Sequence, residues 1–398
     1  MPDLRPWTPH PTGRIPELDG IRGLAITLVL ILHYFVVPTP SRIALYFRLA
    51  GSGVDLFFVL SGFLIAGILL DAKQSPSYYK TFYFRRFYRI IPLYAIWLAI
   101  FVIGVFSVGP SSPLPLRSTF NGGLGLWTYF LFLQNFSMAK WGAIGASWMG
   151  ITWSLAVEEQ FYLLLPLVVR RLSGRALLQF ALGMIFVAFF IRVAFHLAGA
   201  HEMASLVLLP CRADAFGLGI LVALAYRNQS AWSWFTSHRR YLYTAFIILG
   251  AGVVNWTLRD FKLMEWLGFT WMALFYTCLL LLVLANPGRV ERAVFGNRAI
   301  TRLGTIAYGV YLLHTGILFL CHFVCFHEKP TNHSPATVLV TIVSLLITIV
   351  LAELSWRYLE KPLIRMAHAK YFYAGDATAN RVTIAGLLRP QLKVKILA

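Results

Sequence analysis

The sequence predicts an all-α integral membrane protein, a bundle of about ten transmembrane helices with both termini in the cytoplasm. Three observations lead there. Of 398 residues, 58% are hydrophobic and 13% are charged, about half the charged share of a soluble domain. Apolar runs of about 20 residues recur along the chain, each long enough or nearly so for a hydrocarbon core of about 30 Å. The Lys and Arg residues behind the net charge of +19 fall in short clusters between those runs. That spacing is a signature of membrane orientation, not of a polyanion groove, so no nucleic-acid partner is expected.

In chain order the spans are expected near 21–38, 52–70, 90–109, 152–169, 177–197, 206–226, 242–257, 267–285, 304–325 and 336–356. A further apolar stretch, Leu124 to Phe136, is too short to cross and runs into Gly- and Trp-rich sequence, so a re-entrant or interfacial piece is expected there. Charge supports leaving it out of the count. With ten spans the inner segments hold the clusters Lys80-Arg85-Arg86-Arg89, Arg170-Arg171-Arg175, Arg239-Arg240, Arg289-Arg292-Arg298-Arg302 and the basic C-terminal residues. The outer segments hold only Arg42, Arg48, Arg117, Lys140, Arg259, Lys262 and Lys329. An eleventh span would turn every later cluster outward, against the cytoplasmic excess of Lys and Arg.

Around this bundle, 1–14 is expected as a cytoplasmic N-terminal segment, 15–368 as one transmembrane domain and 369–398 as a cytoplasmic tail. The first apolar run lacks a small-residue cleavage site and is expected to persist as a helix, in a bacterial-type inner membrane. Cys211, Cys278, Cys321 and Cys325 are too few, and too deep in apolar sequence, to suggest a disulfide framework.

The stretch from Ile15 to Phe35 organises the chemistry. It sets Glu17, Asp19 and Arg22 at the mouth of an apolar helix that then carries His33. Eleven residues at about 100° each make roughly three turns, so Arg22 and His33 share a face about 16 Å apart along the axis. Ionisable groups in other spans join them: Asp55, Glu158 with Glu159, Arg212 with Asp214, and His314. Each is costly in lipid unless it faces a cavity or a partner. One polar chamber, open to the outside and walled by aromatic residues, accounts for them together; pairing among themselves is the competing account. At the inner face Phe84-Arg85-Arg86-Phe87-Tyr88-Arg89 precedes Ile90-Ile91-Pro92. Guanidiniums there suit phosphate through bidentate hydrogen bonds, although a positive-inside anchor has the same composition.

Seven segments in order resemble the acyltransferase 3 family of multi-spanning membrane acyltransferases. They are LDGIRGLAITLVLILH, GVDLFFVLSGFLI, FRRFYRIIPLY, TWSLAVEEQFYLLLPL, RADAFGLG, LGTIAYGVYLLH and SWRYLEKPL. The resemblance implies a ten-helix bundle and transfer of an acyl group, commonly acetyl from acetyl-CoA, to a hydroxyl of a carbohydrate or other acceptor. It implies that the family's arginine–histidine pair falls on Arg22 and His33, its Arg-x-x-Arg motif on Arg86 and Arg89, and its acidic residue on Glu158. No SGNH-type hydrolase domain, carried by many relatives, follows the bundle here, so an acceptor that needs such a fused partner is not expected.

On this reading Arg85, Arg86 and Arg89 bind the phosphates of an acyl-CoA, and the pantetheine arm, on the order of 15 to 20 Å, matches the Arg22–His33 rise. His33 acts as general base or as covalent relay, imidazole being suited to proton transfer near neutral pH. Arg22, Glu158 and Asp55 complete the catalytic set, while Arg212, Asp214 and His314 are expected to contact substrate. The acceptor is expected to be a carbohydrate or glycoside and the surroundings membrane lipid. A transporter or flippase of polar lipids or sugars is the alternative, since buried His, Glu and Arg suit a proton-coupled carrier. Cys321-His322-x-x-Cys325-x-His327 has ligand-type residues, but its cysteines close a span and no metal is expected. Trp127, Trp141, Trp148 and Trp153 are expected as an interfacial belt and cavity lining.

Overall fold

The structure, a computed structural model, describes residues 15–39, 48–257, 264–285 and 287–373. The N-terminal segment 1–14 and the tail beyond 373 lie outside the described residues. All regular structure among the described residues is helical. The principal helices are α1 (Pro16–Ile31), α2 (Gly53–Asp71), α3 (Tyr78–Ser107), α4 (Thr152–Arg171), α5 (Gly174–Leu197), α6 (Leu209–Arg227), α7 (Arg239–Thr257), α8 (Phe269–Leu284), α9 (Arg298–Thr305), α10 (Ala307–Phe326), α11 (Pro335–Ser355) and α12 (Lys361–Lys370).

Eight helices among the described residues are long and apolar enough to cross a membrane. The sequence suggests two more, 152–169 and 242–257, which form α4 and α7 but fall outside that set. Glu158-Glu159-Gln160 dilutes the apolar content of α4, and α7 opens on Arg239-Arg240 and runs up to residues outside the described set. The centre of the bundle is α2 and α6: 67% of the apolar window of α2 and 72% of that leading into α6 are buried, against 22% for α5. The outer helices keep large apolar side chains such as Phe186, Phe190, Leu346 and Val350 exposed, on faces that lipid would cover.

Local sequence explains how α1 is placed. Pro16 opens it, where a missing N–H costs nothing, and Glu17 and Asp19 complement the positive end of its dipole. Its glycines bring it into backbone contact with its neighbours. A Cβ on Gly23 would stand 2.2 Å from the Ile300 carbonyl oxygen, and one on Gly304 would stand 1.8 Å from that of Asp19. Small residues at such crossings allow the close approach that drives helix association in lipid. α1 continues into a π-helical turn, Leu32–Val36, and His33 lies within it. Such wide turns recur at functional sites because they re-aim side chains.

The connection 108–151 is not a span. It contains the short helices Leu114–Phe120, Leu126–Phe130 and Gln134–Trp141. The break before the third is at Phe132, whose φ of 55° is held by its ring stacking on Tyr94 at 4.6 Å and by Gln160 Nε2 donating to its carbonyl at 2.9 Å. The end of the connection enters the bundle, where Trp148 stacks on Trp97 at 4.3 Å and Gly316 leaves room for both rings. Trp148 and Trp153 are thus interior residues, while Trp127 and Trp141 are exposed as belt residues would be.

Candidate active site

The charged residues singled out by sequence divide into two groups, not one chamber. The first group lines a cleft among α1, α2, α3, α4 and α10, about 910 Å³ of empty space counted out to its open mouth. Arg22, Arg86, Arg89 and Glu158 all face it, from three different helices. Arg22 donates to Asp19 at 3.0 Å. Arg86 lies over the ring of Tyr162 at 5.2 Å, and neither Arg86 nor Arg89 forms an ion pair or hydrogen bond among the described residues. Glu158 is held by Ser61, whose hydroxyl donates to it at 2.6 Å and stands 3.1 Å from the Tyr162 hydroxyl. Half-buried guanidiniums that form no ion pair have donors free to meet an anion, and Arg suits phosphate through its planar fork of donors.

Arg85, from the same cluster, faces elsewhere. Its Nε donates to the Tyr371 carbonyl at 2.8 Å and its guanidinium lies 5.1 Å from the Tyr373 ring, so it clasps the segment after α12 and does not line the cleft. A second cavity, about 870 Å³ including its open mouth, adjoins the first at Arg22 and is bordered by Asp19, Phe63, Asp71 and Arg227. Arg227 grips Asp71 with both Nε, at 2.8 Å, and a terminal nitrogen, at 2.6 Å.

At the other end of the cleft stands Tyr311, whose hydroxyl donates to the Ile151 carbonyl at 2.7 Å and meets Ser154 at 2.5 Å. Its ring lies 5.8 Å from that of His314, and His314 meets His33 edge to face at 4.8 Å. The two histidines do not line the cleft; they sit behind this tyrosine, half-buried for His33 and fully buried for His314.

The second group is an ionic knot among α2, α5, α6 and α8. Arg212 pairs with Asp55 and covers the Phe269 ring at 3.8 Å. Asp214 pairs with Arg192 at 2.9 Å and accepts from Thr270 at 2.6 Å. All four charged groups are buried, so each charge is compensated locally. Asp55, Arg212 and Asp214 are therefore apart from the cleft. The sequence reading passed over Arg192, although an arginine in an apolar run is itself a signal. It also passed over Ser61, Ser154, Tyr162, Tyr308 and Tyr311, whose residue types are ordinary in membrane helices; the spacing of Tyr162 four residues after Glu158 is the one available pointer.

Comparison with known proteins decides the family. The model described as Acyltransferase domain, that of the acyltransferase 3 family, matches residues 15–353. The chain belongs to the acyltransferase 3 family. It is 28% identical over 378 residues to the peptidoglycan O-acetyltransferase OatA of Listeria monocytogenes, covering 90% of this chain and 57% of that protein. It is 26% identical over 421 residues to the O-acetyltransferase OatA of Staphylococcus aureus, covering 96% of this chain and 62% of that protein. The chain thus spans about three fifths of the length of these curated relatives. No solved structure matches it.

Proposed function

We propose that this member of the acyltransferase 3 family is a membrane O-acyltransferase that moves acetyl from acetyl-CoA to a hydroxyl of a carbohydrate or glycoconjugate. The observation that carries this is the convergence of Arg22, Arg86 and Arg89, two of them in no ion pair or hydrogen bond among the described residues, in one cleft with Glu158. A thioester donor with phosphates needs that combination; a neutral sugar passing through does not. The printed names of the relatives favour an acetyl group and a glycan acceptor.

In this reading Arg86 and Arg89, with Arg22, hold the pyrophosphate, and the nucleoside has room in the cavity adjoining Arg22. The pantetheine arm follows the cleft towards Tyr311, and His33 is the general base for the acceptor hydroxyl. Attack on the thioester carbonyl forms the ester bond, the C–S bond breaks, and the proton passes from the imidazole to the thiolate. Glu158, fixed by Ser61, orients the acceptor through its hydroxyls. Asp55, Arg212 and Asp214 are assigned the framing of the site, not contact with substrate, because they bond one another and Arg192. We place the bundle in a cytoplasmic membrane with ten crossings, both termini and the arginine cluster on the cytoplasmic side, as the Lys and Arg distribution favours.

The test uses the full chain in lipid nanodiscs, acetyl-CoA labelled in the acetyl group, and soluble glycan fragments. Label recovered as an alkali-labile ester on the glycan supports the reading. Binding of glycan with no consumption of acetyl-CoA by a folded preparation overturns it.

A further inference from the structure

In both histidines of the interior pair a backbone carbonyl fixes which nitrogen carries the proton. Nδ1 of His33 is 2.9 Å from the Val29 oxygen, and Nδ1 of His314 is 2.5 Å from the Tyr311 oxygen. A carbonyl only accepts, so in each neutral ring the proton is on Nδ1 and Nε2 presents a bare lone pair. The rings meet edge to face with centroids 4.8 Å apart. Two rings, each with an acceptor nitrogen, are therefore in direct contact. Nε2 of His314 is buried with no partner among the described residues, and His314 itself is fully enclosed.

The two tyrosine hydroxyls nearest in the packing are engaged elsewhere. The Tyr34 hydroxyl, from the π-helical turn after α1, is engaged by the His314 carbonyl at 3.1 Å and by Thr348 of α11 at 2.8 Å. The Tyr311 hydroxyl, from α10, is engaged by Ile151 and Ser154 of α4. The Tyr34 and Tyr311 rings lie 6.5 and 5.8 Å from that of His314. Among the described residues no carboxylate or guanidinium bonds to either imidazole. A buried acceptor is ordinarily satisfied, and that of His314, unpartnered beside a second imidazole, calls for a proton brought from outside.

We infer that His33 and His314 form a single two-imidazole base that takes one proton from the acyl acceptor's hydroxyl. The inference rests on the acyltransferase reading and adds a second residue to it. As the acceptor oxygen attacks the thioester carbonyl, its proton moves to Nε2 of His33. The resulting imidazolium shares that proton with the bare Nε2 of His314. Collapse of the tetrahedral intermediate breaks the C–S bond, and the shared proton goes to the departing sulfur, leaving an ester, a free thiol and two neutral rings. His314 acts through His33 and is a positioning residue. Interacting sites of this kind titrate as a pair, in two macroscopic steps that belong to both rings together.

The experiment compares wild type, His33→Ala, His314→Ala, His314→Gln and the double His33→Ala/His314→Ala in nanodiscs. It measures kcat against pH, and acetyl-CoA binding separately. Absence of transfer by folded wild type would remove the transferase reading itself. Given wild-type transfer, His314→Ala is expected to lose about 10²-fold in kcat, within the range for proton-transfer groups. Its acetyl-CoA affinity should stay within about twofold, and the acidic limb of its kcat profile should move to lower pH because the imidazolium has lost its acceptor. His314→Gln, whose carboxamide oxygen accepts, should recover part of the rate. The double variant should be no slower than His33→Ala, as for residues that act as a unit. A His314→Ala enzyme with wild-type kcat and profile, or a double variant whose loss is the product of the single losses, overturns the inference. Should His314→Ala fail to fold, His314→Gln decides: an unchanged profile overturns the inference and a shifted one supports it.

Discussion

Ser61 donates a 2.6 Å hydrogen bond to Glu158, tying α2 to α4 across the cleft. An O–H to carboxylate bond of that length is of the charge-assisted kind. Removing the donor leaves a half-buried carboxylate short of a partner, and hydrogen bonds to charged groups are worth about 1.5–3 kcal/mol. Ser61→Ala is therefore expected to reduce kcat/KM for the glycan by about 10-fold or more, and Glu158→Gln further still. Steady-state kinetics with acetyl-CoA saturating checks both; equal activity in Glu158→Gln would remove the residue from the acceptor site.

Arg86 and Arg89 form no ion pair or hydrogen bond among the described residues, so their loss should be felt by the donor and little by the fold. Each Ala variant is expected to weaken acetyl-CoA binding by about 10-fold or more, from the loss of a charge-assisted contact. Arg85→Ala, which releases the clasp on Tyr371, should change donor affinity much less. Equilibrium binding of labelled acetyl-CoA to purified protein distinguishes the three.

The pair of Arg212 with Asp55 is buried on both sides. Deleting one member strands a charge in the interior, at a cost of about 3–5 kcal/mol. Asp55→Leu alone should lower the melting temperature sharply in detergent, and Asp55→Leu/Arg212→Leu should regain much of the loss. A double variant as unstable as the sum of the singles would show that the two residues are not energetically coupled.

Gly304 has no space for a side chain, since a Cβ there would overlap the Asp19 carbonyl oxygen at 1.8 Å. Gly304→Val is expected to abolish accumulation of folded protein in the membrane. Gly183→Ala, with nothing within 4 Å, should be tolerated. Fluorescence-detected size-exclusion profiles of tagged full chain test the contrast.

Much of the cleft is legible in the sequence, by different signals: Glu158 because charge in an apolar run is costly, Arg22 by its place at the mouth of the first apolar helix, and Arg86 and Arg89 through the Arg-x-x-Arg motif of the family resemblance; all four share one cleft. The residues that shape it, Ser61, Tyr162 and Tyr311, carry no such cost and give no signal beyond the spacing of Tyr162 from Glu158. Position along the chain also hid the partners. Asp55 and Arg212 are 157 residues apart, and only the packing of α2 on α6 distinguishes an ion pair from two groups facing a common chamber. The count of crossings was harder to read for the reason that α4 matters: the acidic run that dilutes its apolar content is the run that carries Glu158.

The interlock of α1 with α9 has one more consequence. Backbones that touch at Gly23 and Gly304 leave α1 unable to slide or rotate without unlocking the pair. The axial rise of about 16 Å from Arg22 to His33 is then a fixed yardstick, set by helix geometry and not by induced adjustment. A carrier whose flexible arm is shorter or longer than that of CoA would present its thioester below or beyond the histidines. On the proposed acetyl-CoA reading, donor choice would accordingly be a matter of reach, written into eleven residues of one continuous helical run.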